Sequence, residues 1–339
     1  MKILCVYHKA DLDGIMSAAI VVDYLEKNKT TTHFIEHKSE DADLYDSFTD
    51  YDVDITHVYM FGWDGNLTID ELPNMYKYDY IYLVDLSFPF DLTKELVQYY
   101  GEKFIWIDHH TTAIKKIDAL QFKIPNTTVP IKINGLRNTE YAACELTWQF
   151  FYDKSTTPEI VTYLGDFDTF RFKNFESKLE QLKVVFFQYG AQYFIRNYQS
   201  ARNYLDKYKS NPDIYQNAQT SKFRDIGTTL YYNKHEEMKY ALKTYAFPVN
   251  FEIDNIKYNF LAINAFNFNP SAVDLDNEYE DYDGLMSFTY FNGVWKVTFS
   301  SSKIDVSVIA THFGGGGHSG RAGCTLNNFE LGRLIKPKI

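Results

Sequence analysis

The sequence contains few cysteines, and they form none of the patterns found at disulfide-bonded or zinc-binding sites. Only three occur in 339 residues, Cys5, Cys144 and Cys324, and no two of them make a C-x-x-C pair. An odd number of widely separated cysteines argues against a disulfide framework and against a zinc site with cysteine ligands. Because unpaired cysteines are typical of reducing compartments, we expect a cytoplasmic protein.

Long apolar runs and an excess of basic residues are also absent. No stretch reaches the roughly 20 apolar residues of a membrane span, and no cationic start with a following apolar segment predicts a signal peptide. Asp and Glu number 45 against 34 Lys and Arg, which gives a net charge of −11. Proteins that coat long nucleic acid normally carry a basic patch, so we expect no long double-stranded nucleic acid partner and no membrane. A small phosphorylated ligand fits this charge, because bound divalent ions reverse the local field.

Aromatic residues, by contrast, are plentiful, and the hydrophobic pattern is that of a folded α/β protein. They make up 17% of the chain, which argues against disorder, and the length allows two domains. Apolar strand runs alternate with helical spacing in the first half, polar-aromatic helical stretches follow, and strands return after residue 245. We therefore predict a parallel-sheet N-terminal domain over 1–185, a helical linker over 186–243, and a smaller α/β C-terminal domain over 244–339.

Carboxylates and histidines follow three strand-like runs, 3–7, 80–84 and 104–107, at their C-terminal ends. Repeated strand–helix units imply a parallel sheet with all these ends on one edge. That edge is where open α/β sheets bind their ligands. We expect seven side chains to converge in one crevice: His8, Asp11, Asp13, Asp85, Asp108, His109 and His110.

Two later carboxylates, Asp166 and Asp168, are candidates for an eighth member of this group. They end a helix predicted from Thr157-Pro158, after another predicted over 138–152. Burying either carboxylate is costly unless it is paired or bound to metal, and the residues alone do not separate the two. Carboxylates and imidazoles suit divalent cations. Because two such ions can hold a hydroxide and clamp phosphoryl oxygens, the pattern predicts a metal-dependent hydrolase of a phosphate ester.

A second motif is the glycine-rich stretch Gly314–Gly323, which reads GGGGHSGRAG. Glycines let a backbone approach an oxyanion closely, consecutive N–H groups can surround an anion, and an arginine adds a bidentate donor. No Gly-Lys-Ser/Thr follows, so the stretch is not a Walker loop. We favour phosphate binding over a flexible linker, through the following residues: Gly315, Gly316, Gly317, His318 and Arg321.

Together these motifs resemble those of the DHH phosphoesterase family, in the subset with a DHH-associated C-terminal domain. Five stretches carry the resemblance: His8-x-x-Asp11-x-Asp13-Gly14, Asp85, Asp108-His109-His110, Asp168-Thr169 and Gly314–Gly323. The resemblance implies two manganese ions, with magnesium or cobalt as alternatives. It implies that one ion is bound by His8, Asp11 and Asp85, and the other by Asp13, Asp85, His109 and Asp168. It also implies phosphate contact by His110, support by Asp108, and substrate binding by the C-terminal glycine motif.

The same resemblance implies a manganese-dependent phosphodiesterase of the RecJ-like superfamily, similar to its oligoribonuclease/nanoRNase and cyclic-nucleotide phosphodiesterase members. Such an enzyme hydrolyses short oligonucleotides, or cyclic or linear (di)nucleotides, to nucleoside monophosphates by two-metal activation of water. Residues 1–185 would be its catalytic domain and 244–339 its substrate-binding domain. A 3′,5′-bisphosphate (pAp) phosphatase is the alternative, because the same site would serve. A non-catalytic nucleotide-binding member is a further alternative. The expected partner is a short oligonucleotide or small nucleotide, and a homodimer is left open.

Overall fold

The computed structural model describes residues 1–28, 31–36, 55–63, 72–118, 132–210, 212–265 and 279–335. The chain divides into two compact units, Met1–Thr228 and Thr229–Ile339. The division by role at residues 185 and 243 stays a prediction. Across the described ranges, no helix has both the length and the apolar character needed to cross a membrane.

The first unit alternates strands with helices before a run of helices. Its strands are β1 (Lys2–His8), β2 (Thr31–Glu36), β3 (Ile55–Trp63), β4 (Tyr80–Val84) and β5 (Phe104–Ile107). Its helices are α1 (Leu12–Asn28), α2 (Phe90–Tyr100), α3 (Thr111–Asp118), α4 (Ala143–Phe151), α5 (Glu159–Asp168), α6 (Lys178–Phe194), α7 (Tyr198–Ser210) and the start of α8 (Pro212–Tyr245). The predicted α/β class is confirmed.

The five strands form one parallel sheet in the order β2-β3-β1-β4-β5. Side chains alternate between its faces, as the period of a strand requires. Ile3 and Cys5 of β1 belong to a core that includes α1, whereas Leu4 and Val6 belong to a core that includes α2. Helices therefore cover both faces, which explains why the central strand β1 and its neighbours β4 and β5 are apolar at nearly every position.

The strand order fixes where a ligand can bind. From β1 the chain builds β3 and β2 on one side, and β4 and β5 on the other. The reversal lies between β1 and β4, and the carboxyl ends of strands at such a reversal border a crevice. The ends of β1, β4 and β5 are adjacent there, as the strand pattern predicted.

The helix predicted over 138–152 begins five residues later, at Ala143. The preceding segment instead runs beside β5, where Trp106 N donates to Asn134 O (2.9 Å) and Asp108 N donates to Leu136 O (3.1 Å). Residues 134–137 therefore run along the free edge of β5, and a turn at residues 139–140 separates them from α4.

The second unit contains a six-stranded mixed sheet in the order β10-β11-β9-β8-β7-β6. Its elements are the end of α8, β6 (Phe247–Ile253), β7 (Ile256–Asn264), β8 (Gly284–Phe291), β9 (Val294–Ser300), α9 (Val306–His312), β10 (Gly316–His318), β11 (Arg321–Leu326) and α10 (Asn328–Leu334). Only β7 and β8 pair in parallel among the described strands of this sheet. Asn292 and Gly293 both have positive φ, as a type I′ turn between the antiparallel strands β8 and β9 requires.

Candidate metal centre

Asp85 lies at the centre of the crevice, directly after β4. It is 2% exposed, and its φ of 57° is in the left-handed region. Non-glycine residues adopt this conformation at a cost, although aspartate and asparagine tolerate it best. The two carboxylate oxygens of Asp85 approach different histidines: Oδ2 is 3.5 Å from His8 Nδ1, and Oδ1 is 3.4 Å from His109 Nε2.

The first group of potential ligands consists of His8, Asp11 and Asp85, whose ligand atoms lie within 4.8 Å of one another. His8 ends β1, and its Nδ1 is 3.0 Å from Asp11 Oδ2. Asp11 caps α1, since its Oδ1 accepts a hydrogen bond from Gly14 N (3.0 Å). A Cβ on Gly14 would lie 2.0 Å from the carbonyl oxygen of His8, so only glycine lets α1 start this close to β1.

The second group consists of Asp13, His109 and Asp168, again within 4.8 Å. His109 Nε2 lies 3.6 Å from Asp13 Oδ2 and 3.3 Å from Asp168 Oδ2. Asp13 is held from a distant part of the chain, because the first turn of α4 donates to both of its oxygens. Ala143 N bonds to Oδ2 (2.8 Å) and Cys144 N to Oδ1 (2.6 Å). These are two of the N–H groups that a helix start leaves without partners in the helix.

Asp108 is fully buried and organises the rest of its triplet. Its Oδ1 accepts from the backbone N of His109 (2.8 Å) and of His110 (3.2 Å), and it contacts His110 Nδ1 at 2.7 Å. Asp85, His109 and His110 also form a cluster of potential ligand atoms. Within the triplet, His109 therefore lies among the carboxylates, whereas Asp108 accepts hydrogen bonds from the backbone of both histidines.

The pKa values in the crevice reflect crowded negative charge. Burial raises the pKa of Asp85 well above its usual range, and the charges of Asp13 and Asp11 raise it further. Burial and the charge of Asp13 likewise raise the pKa of Asp168. Burial lowers the pKa of His8, but hydrogen bonds with Asp11 and Asp85 outweigh it and bring the value to about 11. Raised pKa values of both carboxylates and histidines indicate an excess of negative charge in the crevice.

The donor set fits divalent cations. Each ion pair of Asp13, Asp85 or Asp168 within the described part of the chain has a histidine as its cationic partner. The buried Oδ1 of Asp85 accepts no hydrogen bond from the described residues. Buried charge of one sign is costly unless paired or coordinated. Two groups of carboxylate and imidazole donors, with Asp85 between them, are suited to two ions that share one carboxylate.

The residues alone did not decide whether Asp166 or Asp168 joins the ligand group, and the structure places them in different surroundings. Asp168 lies beside His109, whereas Asp166 pairs with Arg171, whose Nε donates to Oδ1 at 3.0 Å. Arg171 also pairs with Glu145, and both of these residues were missed. Glu145 stands three residues after the N-cap of α4, which is a signal that could have pointed to the start of that helix.

The predicted phosphate-binding glycines lie in the second unit, where β10 and β11 form a hairpin with His318 opposite Arg321. Both side chains are exposed. Gly317 has a φ of 142°, and a Cβ there would lie 2.7 Å from the Cα of Ala322, so the strands approach closely only because this residue is glycine. Val306 N bonds to Ser319 O (2.9 Å) and anchors the turn. The glycine motif is thus part of a sheet rather than a linker.

Comparison with known proteins identifies the first unit. Residues 2–165 match the DHH family, N-terminal domain. Over 259 residues, the chain is 23% identical to an uncharacterized protein of Acanthamoeba polyphaga mimivirus, covering 74% of this chain and 54% of that protein. The chain therefore spans about half the length of this curated relative.

Alignments with two solved structures cover nearly the whole chain at low identity. The pGpG-specific phosphodiesterase PggH from Vibrio cholerae is 12% identical, with 98% of this chain and 96% of that chain covered and a TM-score of 0.44. An exopolyphosphatase-related protein from Bacteroides fragilis is 13% identical, with 95% and 86% covered and a TM-score of 0.42.

Proposed function

The chain belongs to the DHH family of metal-dependent phosphoesterases through residues 2–165, and on this premise we propose a manganese-dependent phosphodiesterase. Its proposed substrates are short oligonucleotides, or cyclic or linear dinucleotides, and its products are nucleoside monophosphates. The observation that carries the proposal is the position of Asp85 between two ligand groups, with one oxygen near His8 and the other near His109.

We assign one ion to His8, Asp11 and Asp85, and the other to Asp13, Asp85, His109 and Asp168. When bound, the two ions would supply positive charge for the phosphoryl oxygens and make a nearby water more acidic. Manganese is favoured because each group combines carboxylates, which suit hard ions, with one imidazole, which suits softer ones. Because the groups share Asp85, loss of this residue would affect both ions.

His110 is the proposed contact to the scissile phosphate, and Asp108 its positioning residue. The bond between Asp108 Oδ1 and His110 Nδ1 (2.7 Å) fixes the imidazole ring, so that Nε2 is the atom that would meet a phosphoryl oxygen. Burial lowers the pKa of His110, but the hydrogen bond and charge of Asp108 outweigh it and raise the value. The ring therefore holds its proton more tightly and can stabilise negative charge on the phosphoryl group.

Two observations support a small substrate. The net charge of −11 opposes long nucleic acid, whose binding depends on neutralising many phosphates. The β10–β11 hairpin is compact and presents one histidine and one arginine, which is enough for a single terminal phosphate. We propose that His318, Arg321 and the glycines Gly315, Gly316 and Gly317 bind that phosphate.

The test is a substrate panel with manganese: pAp, pApA, longer RNA, cyclic mononucleotides and cyclic dinucleotides. We expect pApA and water to give two molecules of AMP, with slower turnover of longer RNA. Asp85→Asn should lower the rate at least about 1,000-fold, which is about 4 kcal/mol of transition-state stabilisation. Asparagine is chosen because it tolerates the left-handed backbone at this position.

Asp23→Asn is the matched control, because Asp23 is also a buried aspartate of the first unit (1% exposed) and lies outside the crevice. Assayed below its unfolding temperature, it should keep the wild-type rate. Release of phosphate from pAp alone would favour the bisphosphate phosphatase instead. If no nucleotide is turned over, the proposal is wrong.

A further inference from the structure

Arg171 connects α4 and α5. The first turn of α4 holds the carboxylate of Asp13, and α5 carries Asp168, so both helices serve the second ligand group. Its Nη2 lies 2.7 Å from Glu145 Oε1 of α4 and 2.9 Å from Asp166 Oδ1 of α5. Its Nη1 donates to the carbonyl oxygen of Glu140 at 2.7 Å, just before α4. One guanidinium thus fixes the start of α4 relative to the end of α5.

On the α4 side, the link continues from Glu145 to Asp13. Glu145 Oε2 accepts a hydrogen bond from Ala142 N (3.0 Å) and so fixes the first turn of the helix. The next two backbone N–H groups hold the carboxylate of Asp13. The helices approach closely at this point, because a Cβ on Gly165 of α5 would lie 2.4 Å from Glu145 Oε2.

On the α5 side, the link runs from Asp166 to Asp168, two residues later and at the last position of the helix. The end of a helix is free to fray unless its last turn is held. The bonds from Arg171 to Asp166 hold this turn, and with it the carboxylate of Asp168. Arg171 also offsets part of the negative charge of Glu145 and Asp166, so that the three side chains together carry one net negative charge beside the ligand group.

We propose that Glu145, Arg171 and Asp166 are positioning residues for the second ion, because they set the distance between the carboxylates of Asp13 and Asp168. The inference rests on the proposed two-ion function. The first ligand group takes its geometry from the ends of β1 and β4 and from the start of α1. Loss of Arg171 should therefore weaken one ion far more than the other.

The experiment is a titration of metal-free protein with Mn²⁺, followed by calorimetry and by electron paramagnetic resonance. Wild type should bind two ions and give the signal of a coupled pair. In Arg171→Met we expect the second ion to bind about 10- to 100-fold more weakly, the usual effect of losing a residue that orients metal ligands. One ion should stay, with the signal of an isolated Mn²⁺.

Arg202→Met is the matched control. The side chain of Arg202 is 30% exposed against 27% for Arg171, and it also pairs with two carboxylates, Glu26 and Asp206. It links α7 to α1 away from the crevice, so this variant should bind both ions as wild type does. Should it lose the second ion too, general loosening of the fold would explain both variants, and the inference would be wrong.

Circular dichroism decides whether each variant is folded. If Arg171→Met does not fold, Glu145→Gln and Asp166→Asn replace it, since both keep the shape and remove one ion pair. A folded variant of this set that binds two ions with wild-type affinity overturns the inference but leaves the proposed function intact. A wild-type protein that binds fewer than two ions overturns the proposed function, and the inference with it.

Discussion

Two buried aspartates of the first unit, Asp23 and Asp85, have opposite electrostatic surroundings. Asp23 on α1 is 1% exposed, and it pairs with Lys27 (3.0 Å), with Lys209 of α7, and with the hydroxyl of Tyr152, which donates to it. Burial raises its pKa, but the bonds from Lys209, Tyr152 and Lys27 outweigh burial and lower the value. Asp85 is 2% exposed, and its neighbours Asp13 and Asp11 raise its pKa in addition to burial.

We propose that this difference separates a structural carboxylate from a metal-binding one. The charge of Asp23 is balanced within the fold, so the folded protein prefers it ionised. The charge of Asp85 is not balanced by lysine or arginine within the described contacts, so the metal-free fold carries a cost there. Such a cost is retained where a site needs it, and a divalent cation would remove it. Asp23 and Asp85 are both buried aspartates, so their charged neighbours are what distinguishes them.

The largest difference that we expect between the two aspartates is in how much bound metal ions stabilise the fold. An ion that binds only the folded state, at 100 times its dissociation constant, stabilises by about 2.7 kcal/mol, so two ions give about 5 kcal/mol. In Asp85→Asn we expect most of this gain to disappear, because both ligand groups lose the negative charge that they share and one of them meets an amide NH₂ in place of an oxygen. The metal-free variant should be at least as stable as metal-free wild type. Urea unfolding with and without Mn²⁺ measures both quantities, and a metal-free variant that is clearly less stable would contradict the comparison.

The next largest effect is on the stability of the metal-free protein. Asp23→Asn should lower the free energy of unfolding by about 3 kcal/mol, because Lys209 would stay partly buried without its carboxylate. The same substitution should leave the stabilisation by Mn²⁺ unchanged. Urea unfolding of the metal-free protein tests the first point and a Mn²⁺ titration the second. Unchanged stability in this variant would mean that the ion pair has no net value.

The sequence was sufficient for those parts of the site that stand at the end of an apolar strand run. His8, Asp85 and Asp108 follow apolar strands directly, and repeated strand–helix units already imply that such ends share an edge. The parallel sheet and the α/β class of the C-terminal part could be predicted for the same reason. Each of these predictions depends on a local hydrophobic period, which a single sequence displays.

The parts that could not be predicted depend on contacts between distant residues. No pattern near Asp13 shows that Ala143 and Cys144 hold its carboxylate, since about 130 residues separate them. Asp166 and Asp168 have similar surroundings in sequence, and the pairing of Asp166 with Arg171 is what separates them. The late start of α4 likewise was not visible in the helical period of residues 138–142, because the chain makes a turn at residues 139–140 before the helix begins.

The smallest expected effect is on the pH dependence of the metal-free protein. The folded state raises the pKa of Asp85, so it binds this proton more readily than the unfolded state, whose aspartates titrate near about 3.9. Stability should therefore increase as the pH falls from about 6 to 4.5, by at most about 1.4 kcal/mol per pH unit for one proton. His8 contributes mainly above this range, because its folded pKa is about 11 and an unfolded histidine titrates near about 6.5.

Asp23 should act in the opposite sense. Its pKa is lowered in the folded state, so its contribution is present above about pH 4 and is lost only as the pH falls further, through its folded value. Between pH 6 and 4.5, Asp85→Asn should thus flatten the slope of stability against pH, whereas Asp23→Asn should shift the curve down without changing its slope. Urea unfolding of the three proteins at five pH values measures this. Equal slopes in all three would show that the charge at Asp85 is already balanced in the metal-free fold, and the distinction between the two aspartates would fail.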